Sequence, residues 1–249
     1  MYVALDLVRQ DAVDGVVSGG DTRALMSLAR HLLGMVAGLD RPAIAKEMLG
    51  RERTFWMADL GANVRCTPDQ LLQIVAMSRL AAQQLSGNSA PTVALLNIGT
   101  EVFKGTGELA PVYADLQRKL GAEFVGYIEG NELFDNRADV VVCDGYVGNI
   151  TLKAVEGTAA LARHMLQQQL DSANIAQRLL LRMLRGKLRS VASVLDTQQY
   201  NGAAFLGLRG VVVKSHGSAT SAGFASAIQR TKNAVEEQLP SLLAQHLQG

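Results

Sequence analysis

The sequence is poor in cysteine, in charge of one sign and in long apolar runs, and each shortage excludes a class of protein. Only Cys66 and Cys143 occur among 249 residues, far apart and without C-x-x-C spacing. A disulfide framework and a structural zinc site are thereby set aside, and two small buried thiols in a reducing compartment are expected. Net charge is +1, from 24 Lys and Arg against 23 Asp and Glu, so bulk electrostatics gives no reason to expect nucleic acid as a partner. No run approaches the roughly 18 apolar residues of a membrane span, and no basic, apolar, small-residue signal peptide opens the chain. A soluble or at most surface-bound protein is expected. With 48% hydrophobic residues there is ample material for a core, and neither internal repeats nor low-complexity segments divide it.

What is present alternates. Short apolar runs ending in glycine, at 13–19, 54–61, 92–99, 123–130, 139–145 and 210–217, have the composition of strands entering turns. Between them 22–38, 68–86, 109–120, 147–170 and 218–247 carry helical spacing, with Thr67-Pro68 as N-cap and first-turn proline. This order predicts one α/β domain over 1–249, a mostly parallel sheet with helices on both faces and ligand chemistry at the carboxyl ends of its strands. The first residues, "YVALDLVRQ", place Val3, Ala4, Leu7 and Val8 on one helical face. A helix at that point is expected to follow a strand, so the chain reads as N-terminally incomplete.

Several strand ends are rich in Gly, Ser, Thr, Asn and Asp: "SGGDTRAL" (18–25), "DLGANV" (59–64), "NIGTEVFKGTGE" (97–108) and "DGYVGN" (144–149). Their convergence on one edge would form an anion site, with helix-start N–H groups near Gly148 and Asn149 facing it. Taken alone, the same residues read first as a tight turn in which Gly145 and Gly148 supply positive φ and Asn149 caps the helix. "GTEVFKGT" is no P-loop, because Lys104 precedes Gly105. "GTGELA" begins too far beyond its strand for a dinucleotide turn, which argues against a dehydrogenase. Lys104 reads either as a solvated cation or as a phosphate neutraliser. His216, beside Lys214 and Ser215, reads either as a core-edge histidine or as a group that orients phosphate or donates a proton. His31, His164 and His246 read as structural, and no metal or cofactor site is expected.

Together "DLGANV", "ALLNIG" with a following "KG", "VVVCDGYVGNITLKAVEG" and "QQYNGAAFLGLRGVVVKSHGSA" closely resemble the bacterial phosphate acyltransferases, in the family's order and over essentially the whole chain. The resemblance implies the phosphotransacetylase and isocitrate-dehydrogenase type of fold, normally as a homodimer. It implies attack of inorganic phosphate on a long-chain acyl-carrier-protein thioester, giving acyl phosphate for phospholipid synthesis. A cytoplasmic protein at the inner face of the membrane follows, near the membrane glycerol-3-phosphate acyltransferase that uses the product. Relative to the family, an N-terminal segment carrying "DAMGGD" is missing. Gly19, Asp21 and Arg23 stand where "SAGNTGAL" has Ala, Asn and Gly, and Arg65 where Asp is frequent.

On this basis Ser18, Gly20, Thr22, Gly148 and Ser215 are expected at phosphate, and Lys104 to neutralise its charge. Asn149 would donate to phosphate or the oxyanion, His216 protonate the departing thiolate, and Asp144 orient a neighbour. A phosphotransacetylase using coenzyme A thioesters, and an inactive fragment that still dimerises and binds membrane, remain as alternatives.

An amphipathic helical segment is expected over 171–197. At 100° per residue Arg178, Arg182, Arg185 and Arg189 share a stripe opposite Leu180, Met183, Leu184, Val191 and Leu195. Between 163 and 214 eight basic residues face two acidic ones, a local net of +6. Such a segment suits anionic lipid, acidic acyl-carrier protein, or a dimer mate with its arginines in solvent.

Overall fold

The computed structural model describes residues 1–104, 107–172 and 197–246. Helix α1 (Tyr2–Arg9) leads into β1 (Gly15–Ser18), α2 (Thr22–Leu33), β2 (Ala43–Leu49), β3 (Thr54–Ala58) and α3 (Pro68–Ser86). There follow β4 (Val93–Leu96), α4 (Leu109–Leu120), β5 (Phe124–Ile128), β6 (Val140–Val142) and the long α5 (Gly145–Asp171). Then come β7 (Ala203–Leu206), β8 (Val211–Lys214), α6 (Ser221–Glu236) and α7 (Leu239–His246).

The strands form one sheet in the order β1-β8-β7-β2-β3-β6-β4-β5. Parallel pairing joins β1 to β8 and runs through β3, β6, β4 and β5. Between these blocks β7 and β2 pair antiparallel with each other and with their outer neighbours. The sheet is therefore mixed but mostly parallel, with helices on both faces. Neither antiparallel strand stands out in the sequence, and together they join the two parallel blocks.

Burial explains the apolar runs. Along β3, Trp56 and Ala58 face one core while Phe55 and Met57 face the other, and β4 and β6 alternate in the same way. Period-two alternation with both faces covered leaves no polar position, hence "VALL" and "VVV". Helices α3, α4, α6 and α7 supply the first core; α1, α2 and the start of α5 supply the second. The α3 start is as expected, with Thr67 accepting from Gln70 N, Gln70 reaching back to Thr67 N, and proline in the first turn.

Other expectations are corrected. Of the expected α1 face only Val8 is buried, together with Leu5, while Val3 and Leu7 are exposed. The helix over 22–38 stops at Leu33, where Gly34 takes a positive φ, and that over 218–247 breaks between Glu236 and Leu239, where Gln238 also has a positive φ. Both cysteines are free and buried.

Candidate active site

A cleft of about 720 Å³ opens on the second-core face of the sheet, between the amino ends of α2 and α5. Its floor carries Ile44 and Lys46 of β2, Ala203 of β7 and Lys214 of β8; Thr22 and Arg23 form one wall, Asn149, Ile150 and Lys153 the other. Ser215, His216 and Gly61 also line it. Two lysines reach one space because β2 and β8 both present alternate residues to this face.

The walls are held by buried polar groups. Asp59, fully buried at the end of β3, accepts from the backbone N–H groups of Ile44, Gly61, Ala62 and Asn63 and from the Asn63 amide. Burial pushes its carboxyl pKa up, and those hydrogen bonds oppose the rise without cancelling it. Asn63 also donates to Pro42 O, and its carbonyl accepts Gly145 N at 2.7 Å. "DLGANV" is thus a knot tying β2, β3 and α5 together. Across the cleft Asn201, 1% exposed, donates to Ser215 Oγ and Gly223 O and accepts from His216 N, which fixes the loop bearing His216.

Gly145 and Gly148 permit close approach and do not supply positive φ. A Cβ on Gly145 would stand 2.6 Å from Asn63 O, and one on Gly148 1.9 Å from Asp59 O. The anion cradle expected at this helix start is also largely occupied: Asn63 O takes Gly145 N, the Asp144 side chain caps Val147 N at 2.8 Å, and Asp144 O takes Gly148 N at 2.9 Å. Asp144 is therefore the helix cap. Asn149 lies beyond it, in the second turn, with its side chain against Gly61.

The remaining expected residues divide. Thr22, Asn149, Ser215 and His216 line the cleft. Ser215 lends its hydroxyl to Asn201 and donates onward to His216 O, so it acts as a brace. Ser18 and Gly20 are not on the cleft; Ser18 Oγ accepts Gly20 N at 3.2 Å and shapes the turn before α2. Lys104 is not on it either. It sits on the turn Val102–Lys104, paired with Glu101 at 2.8 Å, and that carboxylate holds its ammonium pKa above the ordinary value. The substituted Asp21 caps α2 by accepting Ala24 N, as Asn would. Arg178, Arg182, Arg185 and Arg189 lie outside the described residues.

Charges that do not stand out in the sequence dominate the site. Lys153 contacts half-buried Glu156 at 2.8 Å, and His216 Nε2 lies 2.8 Å from the other Glu156 oxygen. That second contact is one of proximity, since Oε1 accepts no well-directed hydrogen bond. Burial would raise the Glu156 pKa, but His216 and Lys153 outweigh it and hold the carboxyl at about 2. Burial lowers the Lys214 pKa, with Lys153 adding to the effect and Asp21 opposing it. Lys46 is 5% exposed; burial brings its pKa to about 8, against the attraction of Glu156 and with help from Arg230 and Lys153. Among the described residues no group of His, Cys, Asp and Glu could hold a metal, and no helix is long and apolar enough to cross a membrane.

The sequence profile described as "Fatty acid synthesis protein" matches residues 1–242. The chain belongs to that family. Similar proteins include the phosphate acyltransferase of Pseudomonas paraeruginosa (strain DSM 24068 / PA7), 45% identical over 243 residues, covering 98% of this chain and 72% of the relative. That of Aliivibrio salmonicida (strain LFI1238) is 43% identical over 251 residues, covering 100% and 73%. With the family match and relatives at this level of identity, the chain is an acyltransferase. Among solved structures, the branched-chain phosphotransacylase from Enterococcus faecalis V583 superposes with a TM-score of 0.56 at 16% identity, over 94% of this chain and 78% of that one. The EutD phosphotransacetylase from Staphylococcus aureus gives 0.55 at 15%, over 96% and 66%. At such identities these two establish the fold alone.

Proposed function

We propose that the chain transfers the acyl group of a long-chain acyl-carrier protein to inorganic phosphate, releasing free carrier and an acyl phosphate that feeds phospholipid synthesis. One observation carries this reading: the cationic cleft adjoins a second, apolar groove of about 640 Å³ along α5, and Lys46, Ile150 and Leu152 line both. Met48, Leu133, Phe134, Val155 and Ala159 line the groove. An anion fits the first space and an alkyl chain the second, so a thioester between them would lie at the shared residues.

The chemistry asks mainly for placement. Phosphate is already an anionic nucleophile at neutral pH, and the protein must desolvate it, hold it in line with the carbonyl and supply donors to the oxyanion. Lys214 and Lys153 neutralise phosphate, the Thr22 hydroxyl and Asn149 amide orient it, and Glu156 positions His216 and Lys153. Asp144 and Gly148 act through the placement of α5. The arginines at 178, 182, 185 and 189 contact acidic carrier protein or anionic lipid at the inner membrane face, which suits delivery of an insoluble product to a membrane glycerol-3-phosphate acyltransferase. The chain works as a homodimer; in support, Leu161 and Met165 are each 58% exposed on the outer part of α5.

The test is acyl phosphate formation from palmitoyl-carrier protein and inorganic phosphate, with acetyl-coenzyme A run beside it. Product from the carrier thioester, and little from acetyl-coenzyme A, is expected. Equal or faster use of acetyl-coenzyme A favours a phosphotransacetylase, and no product from either thioester leaves an inactive protein.

A further inference from the structure

Lys46 stands where the cleft and the groove meet, and nothing in the fold explains its charge. It lies mid-strand on β2, flanked on the same face by Ile44 and Met48, both in the second core. Its ammonium makes no hydrogen bond or ion pair among the described residues, although the residue is only 5% exposed. Of the neighbouring carboxylates, Glu47 is paired with Arg230 at 2.9 Å and Glu156 with Lys153, and Glu156 attracts the Lys46 ammonium only through space. The other charged groups around the cleft are Lys214 from β8 and Asp21 and Arg23 from α2. A largely buried cation with no hydrogen-bonded partner opposes folding, so its presence beside Ile150 and Leu152, where the two cavities adjoin, calls for a ligand.

Building on the transferase reading, we propose that Lys46 is a catalytic residue whose ammonium faces the scissile thioester and gives its proton to the departing thiolate. A hydrogen phosphate oxygen bonds to the carbonyl carbon, the C–S bond breaks with its electron pair passing to sulfur, and sulfur takes a proton from Lys46 Nζ. The proton left on the phosphate is more acidic once that phosphate is acylated, and it returns to the neutral amine. Carrier thiol, acyl phosphate dianion and charged Lys46 result. The acidity of the lysine suits this transfer. Burial, the largest influence, brings its pKa down to about 8, toward the range of a thiol. His216, tied to Glu156, is left to orient phosphate.

Lys46→Met and Lys46→Arg are compared with wild type using palmitoyl-carrier protein and inorganic phosphate, at pH values either side of 8. Lys46→Met should lower kcat on the order of 100-fold, the scale of general acid catalysis, leave KM for phosphate within a few-fold, and melt no lower than wild type. Lys46→Arg keeps the charge but not the acidity and should be equally slow. Wild-type kcat in either variant overturns the proposal, as does a clear loss of melting temperature in Lys46→Met, which would mark a structural lysine. A wild type that turns over beside an equally active Lys46→Met defeats only the role of Lys46. A wild type that makes no acyl phosphate defeats the transferase reading and this role with it.

Discussion

Gly148→Ala separates two accounts of the same glycine. If Gly148 served through a free N–H at a helix start, alanine would keep that N–H and, as the better helix former, add about 1 kcal/mol of stability. The structure gives the opposite sign. The new Cβ would meet Asp59 O at 1.9 Å where ordinary contact begins at 3.4 Å, so α5 must withdraw by about 1.5 Å from the end of β3. The obstacle is backbone, held in place by the five hydrogen bonds that Asp59 accepts. Overpacking of this kind costs roughly 1–3 kcal/mol; the rigid target puts the cost at the top of that range, which leaves a net loss of about 2 kcal/mol after the helix gain. For a chain of this length that corresponds to roughly 4–8 °C in Tm. Because Asn149 and Lys153 ride on the same helix, turnover should fall in parallel. Urea denaturation and calorimetry measure the first effect and acyl phosphate formation the second. A variant that is as stable as wild type or more so, with raised KM for phosphate alone, would refute the close-packing account.

Glu156 gives a pH signature. Its folded pKa of about 2 lies below the ordinary 4.5, so its contribution is complete above pH 4.5 and is lost as pH falls through 2. Wild type should therefore lose more stability than Glu156→Gln between those values, and parallel unfolding midpoints would contradict the pairing with His216 and Lys153. Replacing Arg178, Arg182, Arg185 and Arg189 together by Gln should abolish sedimentation with anionic vesicles, since each arginine contributes on the order of 1 kcal/mol near such a surface. Unchanged sedimentation, with the dimer lost instead when Leu180 and Leu184 become Ser, would assign that stripe to packing.

The parallel strands were legible because a strand covered on both faces has no polar positions. Strands β2 and β7 were not. "AIAKEML" is rich in good helix formers, and it extends only because β3 and β7 pair with it on either side; "AAFL" is too short to show alternation. Antiparallel neighbours need no helical crossover, so these two also broke the β-α rhythm on which the parallel reading rested. Lys46 was hidden with β2. Glu156 and Lys153 look like an exposed i, i+3 pair, yet the spacing 149, 153, 156 places Asn149, Lys153 and Glu156 on one helical face, a signal that the sequence does carry. Of the glycine loops, 59–64 and 144–149 pack together while Lys104 lies off the cleft, and whether a glycine meets a ligand or another backbone depends on packing that local sequence does not specify.

The central claim is that an alkyl chain lies in the groove along α5 while phosphate occupies the cleft, and chain length tests it most directly. Ala159, on the groove wall and away from the cleft, is replaced by Trp, and kcat/KM is measured with palmitoyl- and hexanoyl-carrier protein. The large side chain should lower the palmitoyl value at least tenfold, equivalent to about 1.4 kcal/mol, and leave the hexanoyl value within a few-fold of wild type. Equal loss for both substrates, or no loss for palmitoyl, would place the acyl chain elsewhere and contradict the account.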